Sequence, residues 1–175
     1  DRGVEVALDA IARAQTRPHL YLRGRPRAGY TDAIRARAAG LGCAERLHLL
    51  PTALPSQMEA LAAQYDLGLV GETGATQNRR IALTNKQFTY LLAGLPVLLS
   101  DIPAHRDIAR DAAGAAILNR TEEAADLARR MDAVFSSPEA LTKARARAFA
   151  RGRTRFNWAA EAPKLLRAAE LALAP

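Results

Sequence analysis

The sequence predicts an α/β domain in which helices cover both faces of a parallel sheet. Two observations support this class. Short apolar runs alternate with amphipathic helical segments, and glycine or proline marks the points where these segments end. The chain has 175 residues, of which 49% are hydrophobic and 25% are charged. This length and balance suit one globular domain with a sizeable core.

The first part of the chain is predicted to hold three helices and three strands in alternation. In the first helix, Val4, Leu8 and Ile11 share one face. The second helix ends at Gly40, and the third opens on Pro55, a residue favoured at helix starts. The predicted helices are residues 4–14, 30–40 and 55–65, and the predicted strands are residues 19–23, 46–50 and 66–70.

The second part begins with a loop over residues 71–84, which is long for a compact domain. The next predicted elements are a helix at residues 85–93 and two strands at residues 96–100 and 114–118. Three C-terminal helices are predicted within residues 121–175. A nucleotide-binding α/β unit usually opens on a strand, whereas this sequence opens on a turn-like Asp-Arg-Gly. We therefore expect the first strand to be missing, and residues 1–175 to be a single domain of a longer protein.

The net charge is +7, and 22 of the 25 basic residues are arginine. These arginines are spread over many helices, and only 5% of residues are aromatic, which argues against a nucleic-acid partner. The charge would suit the phosphates of a nucleotide or of an anionic membrane surface. The single cysteine and the lack of a long apolar run predict a cytoplasmic location, with the inner face of the membrane as a possible site of action.

Polar and cationic residues converge on the start of the helix over residues 85–93. Lys86 lies in its first turn, where the helix dipole disfavours a cation unless an anion is near. Arg79 and Arg80 precede this helix, and Thr84 or Asn85 can cap it. Ligands bind beyond the carboxyl ends of parallel strands, so the pattern predicts a phosphate-binding site at the N-terminus of this helix. The alternative is that Lys86 simply extends into solvent and does not take part in phosphate binding.

The sequence does not favour a metal site, a cofactor or a nucleophilic side chain. His19, His48 and His105 have no partners at metal-ligand spacing. Ser100 lies close to His105 in sequence, but no nucleophile-elbow motif surrounds it. Cys43 follows a glycine turn, and we interpret it as a small apolar residue.

The segment "TNKQFTYLLAGLPVLLSDIP" resembles the segment "pNKlFEYlaaGlPVvaSdlp" of the group 1 glycosyltransferases, the family 4 type with the two-domain GT-B fold. The likeness extends over most of the chain, through "DRGVEVALDAI", "LYLRGRP", "AERLHLLPTALPSQMEALAAQYDLGLV" and "FNWAAEAPKLL". It implies a Rossmann-like C-terminal half that binds the nucleotide-sugar donor. The N-terminal domain, which binds the acceptor, would be absent from this sequence.

The resemblance also implies roles for single residues. Arg2 and Lys86 match basic residues that stabilise the donor diphosphate, and no other catalytic residue is assigned. Gly24 matches a turn glycine near the donor, and Leu50 and Pro51 match residues that flank the nucleobase. Three further positions match residues whose backbone N–H groups reach phosphate or sugar: Leu83, Thr84 and Asn85.

Two positions depart from the family pattern. The glutamates of the family's E-x7-E pair, the second of which usually holds the ribose hydroxyls, correspond to Ile81 and Thr89. Thr89 can form a hydrogen bond to a ribose, although more weakly than a carboxylate. Glu72, in the preceding loop, is the candidate replacement for a missing carboxylate.

The implied function is the donor-binding half of a retaining glycosyltransferase, which moves a sugar from a nucleotide-diphosphate sugar to an acceptor hydroxyl in glycan or glycolipid biosynthesis. The full-length protein would be an enzyme that needs no cofactor or metal, and the isolated chain is expected to be inactive. Two alternatives stay open: a non-catalytic nucleotide-sugar-binding module, and another GT-B enzyme such as a sugar-nucleotide epimerase.

The C-terminal helix carries many apolar residues, including Trp158, which we interpret as a core anchor. The resemblance implies that this helix meets the N-terminal domain of the same protein. Without that domain, its uncovered apolar surface predicts self-association of the chain.

Overall fold

The structure, a computed structural model, describes residues 3–173. Arg2, which the sequence assigns to the site, lies outside the described residues. The strands are β1 Leu20–Arg23, β2 Leu47–Leu50, β3 Gly68–Val70, β4 Val97–Ser100 and β5 Ala116–Asn119. The helices are α1 Val4–Arg13, α2 Tyr30–Gly40, α3 Met58–Ala62, α4 Gln77–Ile81, α5 Asn85–Leu92, α6 Pro103–Asp111, α7 Ala124–Phe135, α8 Pro138–Thr154 and α9 Trp158–Leu173.

All strand pairs in the described chain are parallel, but they form two separate sheets. One sheet contains β1 and β2, with Leu20 opposite Leu47. The other contains β3, β4 and β5 in that order, with Leu98 between Leu69 and Ile117. The predicted α/β class with a parallel sheet is confirmed, and the division into two sheets is an addition to it.

Helices cover both faces of the sheets, as alternate residues of β4 show. Leu98 packs in a core cluster with Leu8 of α1 and Met131 of α7. Its neighbours Val97 and Leu99 pack in a second cluster, on α5, α6 and the segment before α9. Because successive strand residues point to opposite faces, β4 is buried from both sides. This burial explains why its sequence is a continuous apolar run.

Three elements differ from the sequence prediction. The loop over residues 71–84 contains the short helix α4, whose N-terminus is capped by Thr76 Oγ1, which accepts from the backbone N–H of Arg79 at 3.3 Å. The predicted helix over residues 55–65 is shorter, with a 3₁₀ turn at Pro55–Gln57 followed by α3. Helix α6 was not predicted at all, although Pro103 at its first turn is a helix-start signal.

Helices α5 and α8 approach each other closely at Gly152. A Cβ atom at this position would lie 2.8 Å from the backbone of Leu91 and Leu92. Only glycine therefore lets the backbone of α8 rest directly on the last turn of α5. This contact fixes the carboxyl end of α5, the helix whose other end carries Lys86.

The interpretation of Trp158 as a core anchor is wrong, because its side chain is 70% exposed. The buried aromatic residue is Phe156, two positions earlier, which lies against Phe88. No residue of α9 is buried, and its exposed large apolar side chains are Trp158, Leu165, Leu166, Leu171 and Leu173. Helical periodicity gives the apolar stripe of α9, but it does not tell whether a neighbour covers that stripe. Self-association through α9 stays a prediction.

The end of α1 is tied to α7 by Asp132. This carboxylate accepts from Thr16 Oγ1 at 2.6 Å, and from the backbone N–H groups of Thr16 at 2.9 Å and Gln15 at 3.1 Å. Burial acts to raise the pKa of Asp132, but the hydrogen bonds from Thr16 and Gln15 outweigh it, so the pKa lies below its usual value. The carboxylate is therefore bound in its charged form.

Replacing Asp132 with alanine is expected to lower the free energy of unfolding at pH 7 by about 2 kcal/mol, because charge-assisted hydrogen bonds are lost. A carboxyl whose pKa is depressed in the folded state stabilises above its unfolded pKa, and the effect disappears as pH falls through the folded pKa. The gap between wild type and D132A should thus begin to narrow below about pH 3.8, the usual pKa of an aspartate, and close as the pH falls past the lower pKa of the folded state. Urea denaturation at pH 7 and pH 3 measures this, with the exposed Asp107→Ala as control. A gap that does not depend on pH would contradict the assignment.

Candidate functional site

A cleft of about 1470 Å³ opens between β1 and β3. At the carboxyl ends of the strands, its wall is formed by cationic side chains from three separate segments. We call this end the cationic mouth, defined by Arg23, Arg25, Arg79 and Lys86. Parallel sheets bind ligands beyond the carboxyl ends of their strands, so the mouth lies where an anionic ligand is expected.

One side of the mouth is built by the segments that follow β1 and β2. The backbone N–H of Gly24 donates to the carbonyl of Leu50 at 3.4 Å, and Arg23 Nη1 donates to the carbonyl of Pro51 at 2.8 Å. These bonds extend the pairing of β1 with β2 past the ends of the strands. They bring Gly24 into one wall with Leu50 and Pro51, from which it is distant in sequence.

The other side of the mouth is the N-terminus of α5. Thr84 is its N-cap residue, but the Thr84 side chain makes no hydrogen bond to a backbone N–H of the first turn. Its hydroxyl donates instead to Oε1 of the buried Gln87 at 3.0 Å. The first turn of α5 therefore has no side-chain cap, and the positive end of its dipole is directed toward the mouth.

Glu72 explains why a lysine is tolerated in the first turn of α5. Its carboxylate is fully buried, and it accepts from Lys86 Nζ at 3.0 Å and from Arg79 Nη1 at 3.2 Å. A buried carboxylate that forms ion pairs with two cationic side chains holds both of them in place. The carboxylate of Glu72 thus supplies the negative charge that offsets the positive charge of Lys86 at the N-terminus of α5.

The expected role of Glu72 as a replacement for a ribose-binding carboxylate stays a prediction, and the structure adds where this carboxylate lies. The side chain of Glu72 is 1% exposed and lies behind Lys86 and Arg79, which themselves are 37% and 26% exposed. A ligand in the mouth would meet the two cations first. The pairing could not be read from the sequence, because Glu72 and Lys86 are 14 positions apart.

Ser100 and His105 support the backbone beneath Glu72. Ser100 Oγ donates to the carbonyl of Glu72 at 2.6 Å, and His105 Nδ1, as the protonated nitrogen, donates to the carbonyl of Ser100 at 2.8 Å. Burial lowers the pKa of His105, against the opposing effect of its hydrogen bond to Ser100. His105 is therefore neutral at pH 7. Both side chains are buried, and their hydrogen bonds hold the backbone at Glu72 and Ser100 in place.

The structure brings most of the predicted site residues together in one cleft. Those that line it are Gly24, Leu50, Pro51, Thr84, Asn85, Lys86 and Thr89. Leu83 is exposed outside its lining, and Glu72 lies behind it. Of the two departures from the family pattern, Thr89 lies in the cleft, whereas Ile81 is 63% exposed on α4 and does not line it.

Sequence reasoning missed two residues of the mouth, Arg23 and Arg25. The signal was available, because both flank Gly24 at the end of a predicted strand. Within residues 3–173, no group of three or more histidine, cysteine, aspartate or glutamate residues could hold a metal ion. The same residues include no helix that is both long and apolar enough to cross a membrane.

Comparison with known proteins supports the fold. A scan against protein-family models and a search of curated proteins give no match. Among solved structures, HepE of Anabaena in complex with UDP aligns with a TM-score of 0.83 at 17% identity, over 97% of this chain and 45% of that chain. HepE is also known in complex with UDP-glucose, with a TM-score of 0.81.

Two further structures are named as glycosyltransferases. One is from Rickettsia africae, with a TM-score of 0.77 at 15% identity, over 95% of this chain and 43% of that chain. The other is WaaG, a glycosyltransferase involved in lipopolysaccharide biosynthesis, with a TM-score of 0.70 at 16% identity, over 99% of this chain and 44% of that chain. This chain therefore has the fold of one half of a GT-B glycosyltransferase, and it spans less than half the length of these proteins.

Proposed function

We propose that this chain is the donor-binding half, the C-terminal domain, of a retaining glycosyltransferase of the family 4 type. It binds a nucleotide-diphosphate sugar, and the whole protein transfers the sugar to an acceptor hydroxyl in glycan or glycolipid biosynthesis. The observation that carries the proposal is the cationic mouth, which lies at the carboxyl ends of the strands in a GT-B half. The complexes of HepE with UDP and UDP-glucose support the same kind of ligand.

The chemistry assigned to this half is electrostatic. When the bond between the sugar and the diphosphate breaks, negative charge develops on the departing diphosphate. Lys86, Arg79 and the uncapped first turn of α5 can stabilise that charge without being rearranged. Leu50 and Pro51 line the opposite wall of the cleft, and their proposed role is to contact the nucleobase. The acceptor is bound by the second domain, so this chain alone is expected to bind the donor without turning it over.

The proposed location follows from this role. A donor made in the cytoplasm would be used there, either free or at the inner face of the membrane, where a protein of net charge +7 is attracted to anionic lipid. The proposed partners are the nucleotide-sugar, the acceptor-binding domain of the same protein and, through the exposed stripe of α9, a second copy of the chain.

Calorimetric titration with nucleoside diphosphates tests the proposal. UDP, GDP and ADP are compared because the geometry does not select a base, and uridine is the matched ligand without charge. We expect one of the diphosphates to bind, with an affinity that falls as salt is raised, and we expect uridine to bind much more weakly. If no diphosphate binds at millimolar concentration, or if uridine binds as well as UDP, the proposed donor site is wrong.

A second candidate is a nucleotide-sugar-binding module without catalysis. Its support is that Ile81 and Thr89 stand where the family has glutamates, and that Ile81 is off the cleft. The discriminating assay follows the fate of the donor in a protein that carries both domains. Transfer to an acceptor supports the enzyme, binding without turnover supports the module, and an isomerised sugar nucleotide supports an epimerase.

A further inference from the structure

Two histidines meet on the outer face of the β1–β2 sheet. His19 Nδ1 lies 2.8 Å from His48 Nε2. His19 comes directly before β1, and His48 is the second residue of β2. The two residues are 29 positions apart in the sequence, so no local spacing motif reveals the pair. They are brought together by the pairing of the two strands.

The strand register places the pair on the solvent side of the sheet. Leu20 of β1 and Leu49 of β2 pack in the core cluster around α1. Successive strand residues point to opposite faces, so His19, Tyr21 and His48 share the other face. In the parallel register, Tyr21 is directly opposite His48. His19 is exposed and His48 is half-buried, so a small ligand can reach both rings.

The two imidazole rings lie edge to edge. Their planes differ by 11°, and their centres are 5.1 Å apart. This separation closely matches the distance between the two nitrogens plus the distance from nitrogen to ring centre at each end. The nitrogens therefore lie on the line between the ring centres, and the rings are nearly coplanar. An unprotonated imidazole nitrogen carries its lone pair in the ring plane, so His19 Nδ1 and His48 Nε2 are directed at the same small region.

Two tyrosines restrain the ring of His48. The ring of Tyr21 stacks on it, with the ring centres 4.3 Å apart and the planes 14° apart. Tyr65 packs against the ring of Tyr21 at 4.8 Å. Stacking takes up the face of the imidazole and leaves its edge, with Nε2, directed at His19. This cross-strand contact therefore orients one of the two nitrogens before any ligand binds.

We propose that His19 and His48 form a binding site for a divalent transition-metal ion of the copper, nickel and zinc group, with His19 Nδ1 and His48 Nε2 as ligands. Imidazole nitrogen is a ligand that all three ions accept. Metal–nitrogen bonds of about 2.0–2.1 Å at a tetrahedral angle place two nitrogens about 3.3 Å apart. The rings therefore have to separate by only about 0.5 Å, which a small rotation of the exposed His19 side chain supplies.

Metal binding replaces the hydrogen bond between the rings. In the free pair, one imidazole donates its N–H to the other. In the bound pair, both inner nitrogens are unprotonated, and each neutral ring carries its proton on the outer nitrogen. Within residues 3–173, no aspartate, glutamate, cysteine or further histidine joins the pair as a third ligand. Water fills the remaining positions, and the affinity is below that of a structural site with four protein ligands.

The histidine pair is separate from the cationic mouth. His19 lies at the amino end of β1, whereas the mouth lies at its carboxyl end, where Arg23 is located. Four steps of extended strand span about 13 Å. A metal ion at the pair links β1 to β2, and an ion that binds only the folded chain stabilises it by mass action. The site does not depend on the proposed function.

Titration calorimetry of the untagged chain with CuCl2, NiCl2 and ZnCl2 tests the site. We expect one ion per chain, with copper bound most tightly. The variants His19→Gln and His48→Gln keep a polar side chain, and both retain His105 and every carboxylate. Each should bind at least about tenfold more weakly than the wild type. The double variant should lose little more than either single variant, because one ion uses both ligands. Circular dichroism establishes that each variant is folded.

Nuclear magnetic resonance of the imidazole nitrogens locates the ion. Zinc is expected to shift the resonances of His19 Nδ1 and His48 Nε2 and to leave those of His105 in place. It should also raise the Tm of the wild type but not that of H48Q. The proposal is overturned if the wild type binds none of the three ions at millimolar concentration, or if either folded variant keeps the wild-type affinity. Zinc-dependent shifts confined to His105 would overturn it as well.

Discussion

Replacing Lys86 with alanine is expected to weaken UDP binding by at least tenfold. Lys86 Nζ is held at the start of α5 by the buried carboxylate of Glu72, and Lys86 lies in the first turn of this helix, which has no side-chain cap. A hydrogen bond to a charged group contributes about 1.5–3 kcal/mol, which corresponds to roughly 10- to 100-fold in affinity. Titration calorimetry at low and moderate salt measures the loss.

The matched control for this variant is Lys143→Ala, which removes an exposed lysine from α8, away from the cleft. It should leave UDP affinity unchanged, and Lys86→Arg, which keeps the charge, should retain part of it. Circular dichroism establishes that each variant is folded, since K86A also takes one cation from Glu72. A folded K86A protein with wild-type affinity for UDP would place the diphosphate elsewhere.

Replacing Leu98 with alanine is expected to lower the free energy of unfolding by about 2–5 kcal/mol. Leu98 is fully buried in the middle strand of the three-stranded sheet, and it packs against the cluster formed by α1 and α7. Truncation removes apolar contacts and leaves a cavity that rigid neighbours cannot fill. Urea denaturation with a linear extrapolation measures the change.

Leu166→Ala is the control for this stability effect, because it removes the same type of side chain from α9, where Leu166 is 64% exposed. Its free energy of unfolding should stay within about 0.5 kcal/mol of the wild type. A loss below 1 kcal/mol for L98A, or equal losses for the two variants, would show that β4 is not at the centre of the core.

The sequence predicts the regular elements well where local signals are strong. Helix α2 has the predicted bounds, because Gly29 precedes it and Gly40 is its last residue. Helix α5 begins at Asn85 as predicted. The convergence of Gly24, Leu50 and Lys86 on one cleft also follows from a general rule, since the carboxyl ends of parallel strands share an edge.

Other features depend on contacts that no local pattern contains. The pair of Glu72 with Lys86 and Arg79 forms only when the loop after β3 folds back over α5. The exposure of Trp158 depends on whether another surface covers α9. The division into two sheets depends on which strands pair with each other, and the apolar runs of β1 and β3 carry no local signal that these two strands remain unpaired with one another.

The contact of Gly152 with the last turn of α5 makes the position of Lys86 depend on the C-terminal region of the chain. Helix α5 is about 12 Å long, its carboxyl end packs on α8, and its N-terminus lies at the cationic mouth. A tilt of α8 would therefore move Lys86 without changing any residue that lines the mouth. A shortened version of this protein should keep α8, even though α8 packs against the end of α5 that is opposite to the mouth.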